Sequence, residues 1–354
     1  MLASKTMALS ALMVGTLQKN DIINQNTRRK ESPAMRNRAF SKLLKQLKIL
    51  TPFQKEKLQS SLDHHNAMDT ISDVIDIAQS CPYCSSPSHQ KWGMRSGLQR
   101  YRCNTCEKTY NALTGTPLAR LRHKEVWTDF AQDLIESKTI RESAKHCSVN
   151  KDTIFRWRHR MLNNPKSLSA RHLHGIVEFD ETYFLESHKG ERNLDREPRK
   201  RGGTAIKRGI SSEQTAVLVA RDRNGNTMDA ILFKSNQYTL AEVMLPVVDE
   251  DALLCSDKKT SYRAFAKKNH LTLKTINASA KEYVKEKIYH IQNVNAYDSR
   301  LKAWMRQFNG VATKYLESYL GWMRLLDREK DLTAELLLGI MSKRGMVCQP
   351  LMRT

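Results

Sequence analysis

No stretch of this 354-residue chain approaches the run of roughly 18 apolar residues that a spanning helix requires, so no membrane segment is expected. The first residues, MLASKTMALSALMVGTLQ, carry only Lys5 ahead of a short, interrupted apolar stretch, which argues against a secretory leader. Cysteine is too sparse and too uneven for a disulfide framework. Of the seven, at positions 81, 84, 103, 106, 147, 255 and 348, four form two tight pairs and three are scattered, which suits a reducing, intracellular compartment. Hydrophobic residues stop at 40%, below the usual range, and acids are outnumbered: 37 Asp and Glu against 59 Lys and Arg leave a formal charge of +22. Internal repeats are absent.

The charge excess is uneven. Residues 1–80 hold 12 basic against 7 acidic side chains, residues 81–175 hold 17 against 7, and residues 176–354 hold 30 against 23. The middle segment is therefore the densest in positive charge and should face a polyanion, with nucleic acid the reading favoured over a merely soluble basic protein. Residues 1–38 are polar and irregular and contain the run Arg28-Arg29-Lys30, which reads as a flexible extension. From 39 to 80 the spacing of Leu43, Leu44, Leu47 and Leu50, then Phe53, Leu58 and Leu62, predicts short amphipathic helices, with Thr51-Pro52 as the break between two of them.

Two C-x-x-C knuckles, Cys81–Cys84 and Cys103–Cys106, are separated by 18 residues. At that separation four thiolates can enclose one Zn²⁺ tetrahedrally, with Lys91–Met94 and Leu98–Arg102 forming the connecting hairpin. The expectation is a zinc ribbon over 81–122 whose metal is structural. Arg95, Arg100 and Arg102 on the hairpin suit either a DNA-facing side or a solvated edge.

Over 123–170 a helical pattern returns. Thr139-Ile-Arg-Glu142 has the form of a capping box, and Asn150 can cap a following helix over 151–162. On that helix Ile154, Trp157 and Met161 share an inward face, while Arg156, His159 and Arg160 lie on another. Two short helices and a tight turn with a basic outer face match a helix-turn-helix whose second helix enters the major groove; a plain helical hairpin is the alternative.

From 171 the texture changes to short β-rich segments in the order β-β-β-α-β-α-β, followed by helices from about 294 to 342. The stretch 189–210 stands out as a long loop with eight Lys and Arg and four Gly, suited to tracking a DNA backbone. Asp180 follows the apolar run Ile176–Phe179, and Asp257 follows Leu253–Ser256. Acids at the ends of neighbouring strands can converge on one rim and hold paired divalent cations.

The segment His290-Ile-Gln-Asn-Val-Asn295-Ala-Tyr-Asp298-Ser-Arg-Leu-Lys302 adds a third element. Together with Arg102–Asn111, Leu113–Arg120, Trp157–Arg160, Phe179–Tyr183 and Arg199–Gly203, it resembles bacterial insertion-sequence transposases. The likeness is to the family numbered fifteen ninety-five in its Asp-Asp-Asn-Lys form, and it covers roughly residues 40–328. It implies a multidomain chain: zinc ribbon plus helical helix-turn-helix region plus an α/β RNase H-like catalytic domain over 171–330, with a tail over 331–354.

It further implies catalysis by Asp180, Asp257, Asn295 and Lys302, with magnesium or manganese on Asp180, Asp257 and Asn295. DNA contacts are expected from Arg156, His159, Arg160, Arg199, Lys200 and Arg201. The partners implied are double-stranded DNA, as element ends and as target, and further copies of the chain on that DNA, in a bacterial cytoplasm. Asn295 and Lys302, two helical turns apart, share a face about 10 Å apart. Asn295 also reads as a helix N-cap, Asp298 is the rival third ligand, and His290 touches the scissile phosphate or supports the helix. The rival functions are a DNA-binding regulator with an inactive catalytic domain and a metal-dependent nuclease that does not join strands.

Overall fold

A computed structural model describes residues 37–59, 62, 80–166, 169–194, 196–200, 202–207 and 209–342. The chain divides into two compact units, Met1–Ser60 and Ser61–Thr354. In the first, helix α1 (Asn37–Leu47) is followed by α2 (52–59). Thr51 caps α2: its hydroxyl accepts from Gln54 N–H at 3.3 Å and Gln54 Oε1 accepts from Thr51 N–H at 2.9 Å. The break at Thr51-Pro52 is thus as expected, whereas most of 60–79 and all of 1–36 lie outside the described residues.

The second unit opens with an antiparallel sheet of β1 (His89–Arg95), β2 (Leu98–Cys103) and β3 (Thr109–Asn111). Its own core is small: Cys81, Tyr101, Cys103 and Tyr110. Next come α3 (Trp127–Ile135), α4 (Ile140–His146), α5 (Lys151–Met161) and the short α6 (Asn163–Lys166). The Thr139–Glu142 capping box opens α4, and Asn150 accepts from Asp152 N–H to open α5.

A five-stranded sheet follows, formed by β4 (Ile176–Leu185), β5 (Gln214–Asp222), β6 (Thr227–Leu232), β7 (Leu253–Asp257) and β8 (Thr272–Ile276), in the order β6-β5-β4-β7-β8. The pairs β6/β5 and β5/β4 are antiparallel, and β4/β7 and β7/β8 are parallel. β5 is buried along most of its length because helices cover both faces. Helices α7 (Gln237–Met244) and α8 (Thr260–Lys268) pack on Val177, Phe179 and Leu254. On the other face α9 (Gln292–Arg306) and α10 (Leu316–Arg328) cover Val217, Val219 and Cys255.

Residues 334–342, the end of the stretch expected to be helical to about 342, form α11 (Ala334–Ser342), whose Leu337, Leu338 and Met341 are buried in a core shared with Phe130, Trp157 and Trp322. The helices of 124–162 therefore do not stand apart; they share a core with α10 and α11. That contact is close: a Cβ on Gly321 would lie 2.5 Å from Lys166 Cα, so only glycine lets α10 meet α6.

Candidate active site

The pairing of β4 with β7 joins Ile176 to Leu253, Val177 to Leu254 and Glu178 to Cys255, a constant offset of 77 residues. The same offset sets Asp180 level with Asp257, which ends β7. Neighbouring strands lie about 4.8 Å apart, so the two acids stand side by side on the face covered by α9. Asp180 Oδ1 accepts from Glu181 N–H at 2.8 Å, and Asp257 Oδ1 accepts from Lys259 N–H at 3.0 Å. Burial raises the Asp180 carboxyl to about 6, with Asp257 and Glu181 adding to the rise and the Glu181 N–H and Lys259 opposing it. A carboxylate held against like charge and short of donors is chemically disposed toward a cation.

The third element is α9. Asn295 and Lys302 are both exposed on it, while Asp298 is only 8% exposed. Asn295 lies within the second turn and its N–H donates to Ile291 O at 3.1 Å, so it is not the N-cap; Ile291 is. Burial raises the Asp298 carboxyl to about 7, Asp180 adds to it, and Lys302 opposes it. Its Oδ1 meets no protein donor. The structure thus brings Asp298 within the field of Asp180 and leaves Asn295 and Lys302 on the open flank of the same helix, about 60° round from it. His290 is committed to support: its ring faces Glu178 and Arg223.

Two residues had no signal in the sequence. Glu181, next to Asp180, accepts from Lys259 Nζ at 2.6 Å and from the hydroxyls of Ser235 and Tyr183. Lys259 Nζ also donates to Ser235 Oγ at 2.6 Å. This cluster ties the end of β7 to β4 and to the loop before α7, two residues beyond one acid and one beyond the other. A sequence search for acids at strand ends passes over it because its members reach each other only in the folded sheet.

At the other sheet, Cys81 Sγ lies 3.6 Å from Cys106 Sγ, and Cys84 Sγ lies 3.6 Å from Cys103 Sγ. Disulfide sulfurs would be about 2 Å apart. Thiolates around a tetrahedral centre at about 2.3 Å would be about 3.8 Å apart, so the four fit a bound ion. Backbone N–H groups of Cys106 and Thr105 hold the Cys103 thiol down to about 6, which favours the ligating form.

The six candidate DNA-contacting residues fare differently. Arg156 is exposed on α5. His159 is turned inward, stacked on Tyr315 at 3.7 Å, and burial lowers its pKa to about 4. Arg160 Nη2 donates to Ala119 O at 2.6 Å. These two bind the helix to the rest of the unit, because α5 packs along that flank too. Arg199 is a strut of the long loop, donating to Glu186 O at 2.7 Å and pairing with Glu213 at 3.3 Å. Lys200 is exposed, and Arg201 lies outside the described residues. The loop and the C-terminal half of α9 enclose a groove of about 740 Å³, whose lining includes Arg196, Lys200, Lys302 and Arg306. No helix among the described residues is long and apolar enough to cross a membrane.

Residues 172–324 match the family described as the ISXO2-like transposase domain, which bears out the resemblance to insertion-sequence transposases. A curated relative, "Uncharacterized protein in transposable element ISH50" of Halobacterium salinarum, is 28% identical over 249 residues, 68% of this chain and 82% of that protein. Among solved structures, the Mos1 strand transfer complex matches at 15% identity and a TM-score of 0.22, over 57% of this chain and 76% of that one. A simian T-cell lymphotropic virus intasome in complex with PP2A regulatory subunit B56 gamma matches at 10% identity and 0.27, over 55% and 66%. At those scores no residue assignment follows from either.

Proposed function

We propose that this chain is a transposase that cuts the ends of a mobile DNA element and joins them to target DNA, on an RNase H-like sheet flanked by a zinc ribbon and a helix-turn-helix. The observation that carries the reading is the nearness of Asp180 and Asp257, each two residues beyond the paired Glu178 and Cys255 on the face covered by α9. Divalent magnesium or manganese, when bound there, activates the attacking oxygen and stabilises the leaving one. Asp180 and Asp257 supply charged oxygens to hold it, and Asn295 supplies a neutral one, a weaker donor for a hard cation. Lys302 places positive charge on the same flank, where it offsets the phosphate charge as the bond breaks.

Water attacks the phosphodiester at the element end in the first use of the site. The freed 3′-OH attacks target DNA in the second. Arg156 on α5 and the groove beside Lys200 and Lys302 supply cationic surface for the duplex. The four-cysteine cluster takes zinc as a structural ion, and Cys103→Ser should lower the zinc content by one equivalent per chain.

The deciding experiment incubates the protein with labelled element ends, target plasmid and Mn²⁺. Cleavage followed by joined product is the expected result. Cleavage without joining assigns a nuclease, and neither step assigns a regulator. In the same assay Asn295→Ala should lose at least about 100-fold, and Asp298→Asn less than about tenfold. The reverse order makes Asp298 the third ligand.

A further inference from the structure

The helix that bears Asn295 has one local contact at its start, His290 Nδ1 at 3.3 Å from Gln292 N, and no cap from its N-cap residue. Ile291 occupies the N-cap and offers no side-chain acceptor, and the first turn holds no acid. Unsatisfied N–H groups at a helix start need an acceptor, and an anion there also meets the favourable end of the helix dipole. Here the acceptor comes from β4, 115 residues earlier in the chain. Glu178 Oε2 accepts from the N–H groups of Asn293 at 2.8 Å and Val294 at 3.1 Å, and Oε1 accepts from Asn293 Nδ2 at 2.9 Å. Glu178 is fully buried.

A buried carboxylate persists only if its charge is met. Arg223 Nη1 lies 2.8 Å from Glu178 Oε1, and the same guanidinium donates to Ile288 O at 3.0 Å. His290 Nε2 stands 2.7 Å from Arg223 Nη1, and its Nδ1 lies 3.4 Å from Glu178 Oε1 and 3.3 Å from Gln292 N. Arg223 itself is held by the β5–β6 turn. Asp222 Oδ1 accepts from the N–H groups of Asn224 and Asn226, both at 2.9 Å, and Gly225 takes the left-handed conformation the turn needs, with φ of 88°.

We infer that Glu178 is the positioning residue that sets the register of α9 against β4, and so fixes where Asn295 stands relative to Asp180. Its carboxylate grips the helix at 293 and 294, one residue short of Asn295. The helix is therefore tied to the strand immediately before Asn295. A glutamate has the reach for this grip; an aspartate is shorter by one methylene, about 1.5 Å. The inference rests on Asn295 being the third ligand, and its test separates the two claims.

The full-length protein is titrated with Mn²⁺ in the absence of DNA, with free ion read by electron paramagnetic resonance and binding lost in Asp180→Ala counted as the site. Amide exchange over residues 292–296 is followed in parallel. Glu178→Asp keeps the charge and should weaken Mn²⁺ binding about tenfold, with faster exchange confined to the start of α9 and a matching rise in the Mn²⁺ needed for cleavage. Arg223→Lys keeps a cation but loses the fork, and should move all three readouts the same way by a smaller factor. It carries the test if Glu178→Asp does not fold. Unchanged Mn²⁺ affinity with loosened exchange would reduce Glu178 to a structural cap and overturn the inference; unchanged exchange would remove the tether itself. Asn295→Ala with wild-type Mn²⁺ affinity would instead overturn the ligand assignment.

Discussion

Glu178 and Asp180 point to the same face of the same strand, two residues apart, and their surroundings are opposite. Glu178 is fully buried and saturated: two helix N–H groups, a side-chain amide and a guanidinium face its two oxygens. Asp180, with Asp257 and Glu181 beside it and Asp298 across from it, has one backbone donor and three acidic neighbours. A carboxylate whose donors are all supplied by the protein is architecture. Carboxylates gathered with too few donors are held in place by the fold at a cost, and a cation relieves that cost.

The largest expected effect separates the two directly. Asp180→Ala should reduce cleavage by at least about a thousandfold while leaving the melting temperature unchanged or raised, because a like-charge contact disappears. Glu178→Ala should lower stability by about 3–5 kcal/mol, since it leaves the half-buried Arg223 and two helix N–H groups without their acceptor. Thermal melts and a cleavage assay on both variants check this. Equal losses of stability would erase the distinction.

A smaller effect concerns pH. The Asp180 carboxyl is raised to about 6 and that of Asp298 to about 7, above the ordinary value of 3.8. The native state therefore binds these protons more tightly than the unfolded chain. Their stabilising contribution is complete below pH 3.8 and is lost as pH rises through 6 and 7. Without added divalent ion, the contribution of these acids to the melting temperature should decline across that window. Asp298→Asn should flatten the decline and melt a few degrees higher at about pH 8. Mn²⁺ should restore stability to the wild type at that pH and much less to Asp180→Ala. A melting profile that Asp298→Asn leaves unaltered would count against the crowded rim.

The smallest effect lies on the basic loop. Lys200 is exposed, whereas Arg199 is pinned to Glu213 and Glu186. Lys200→Ala should make the salt dependence of DNA binding shallower by about one unit of log–log slope. Arg199→Ala should disturb the loop instead, and more than a pure charge loss would. Identical slopes in both variants would return Arg199 to the DNA surface.

Features whose logic is local were legible in the sequence. The C-x-x-C spacing, the Thr139–Glu142 capping box and the Thr51-Pro52 break answer to nearby residues and have the local geometry expected, and Asp257 ends its strand, whereas Asp180 lies in the middle of β4 and not at its end. What escaped depends on contacts across the chain. Glu178 looked like one polar residue in an apolar strand because its partners are residues 223, 290, 293 and 294. His159 and Arg160 looked outward because helical periodicity finds one buried stripe, and α5 has a second, against Tyr315 and Ala119. The helix of α11 was legible, but its Leu-rich pattern gives no sign of which core it enters.

The central claim, that the paired acids of β4 and β7 ligate metal, is tested most directly by exchanging a ligand atom. Asp257→Cys replaces a hard oxygen with sulfur, which Mg²⁺ avoids and Mn²⁺ tolerates better. With labelled element ends, this variant should show no cleavage in Mg²⁺ and partial recovery in Mn²⁺, while Glu178→Gln shows no such dependence on metal identity. Equal activity of Asp257→Cys in both ions, at any level, would contradict metal ligation by Asp257.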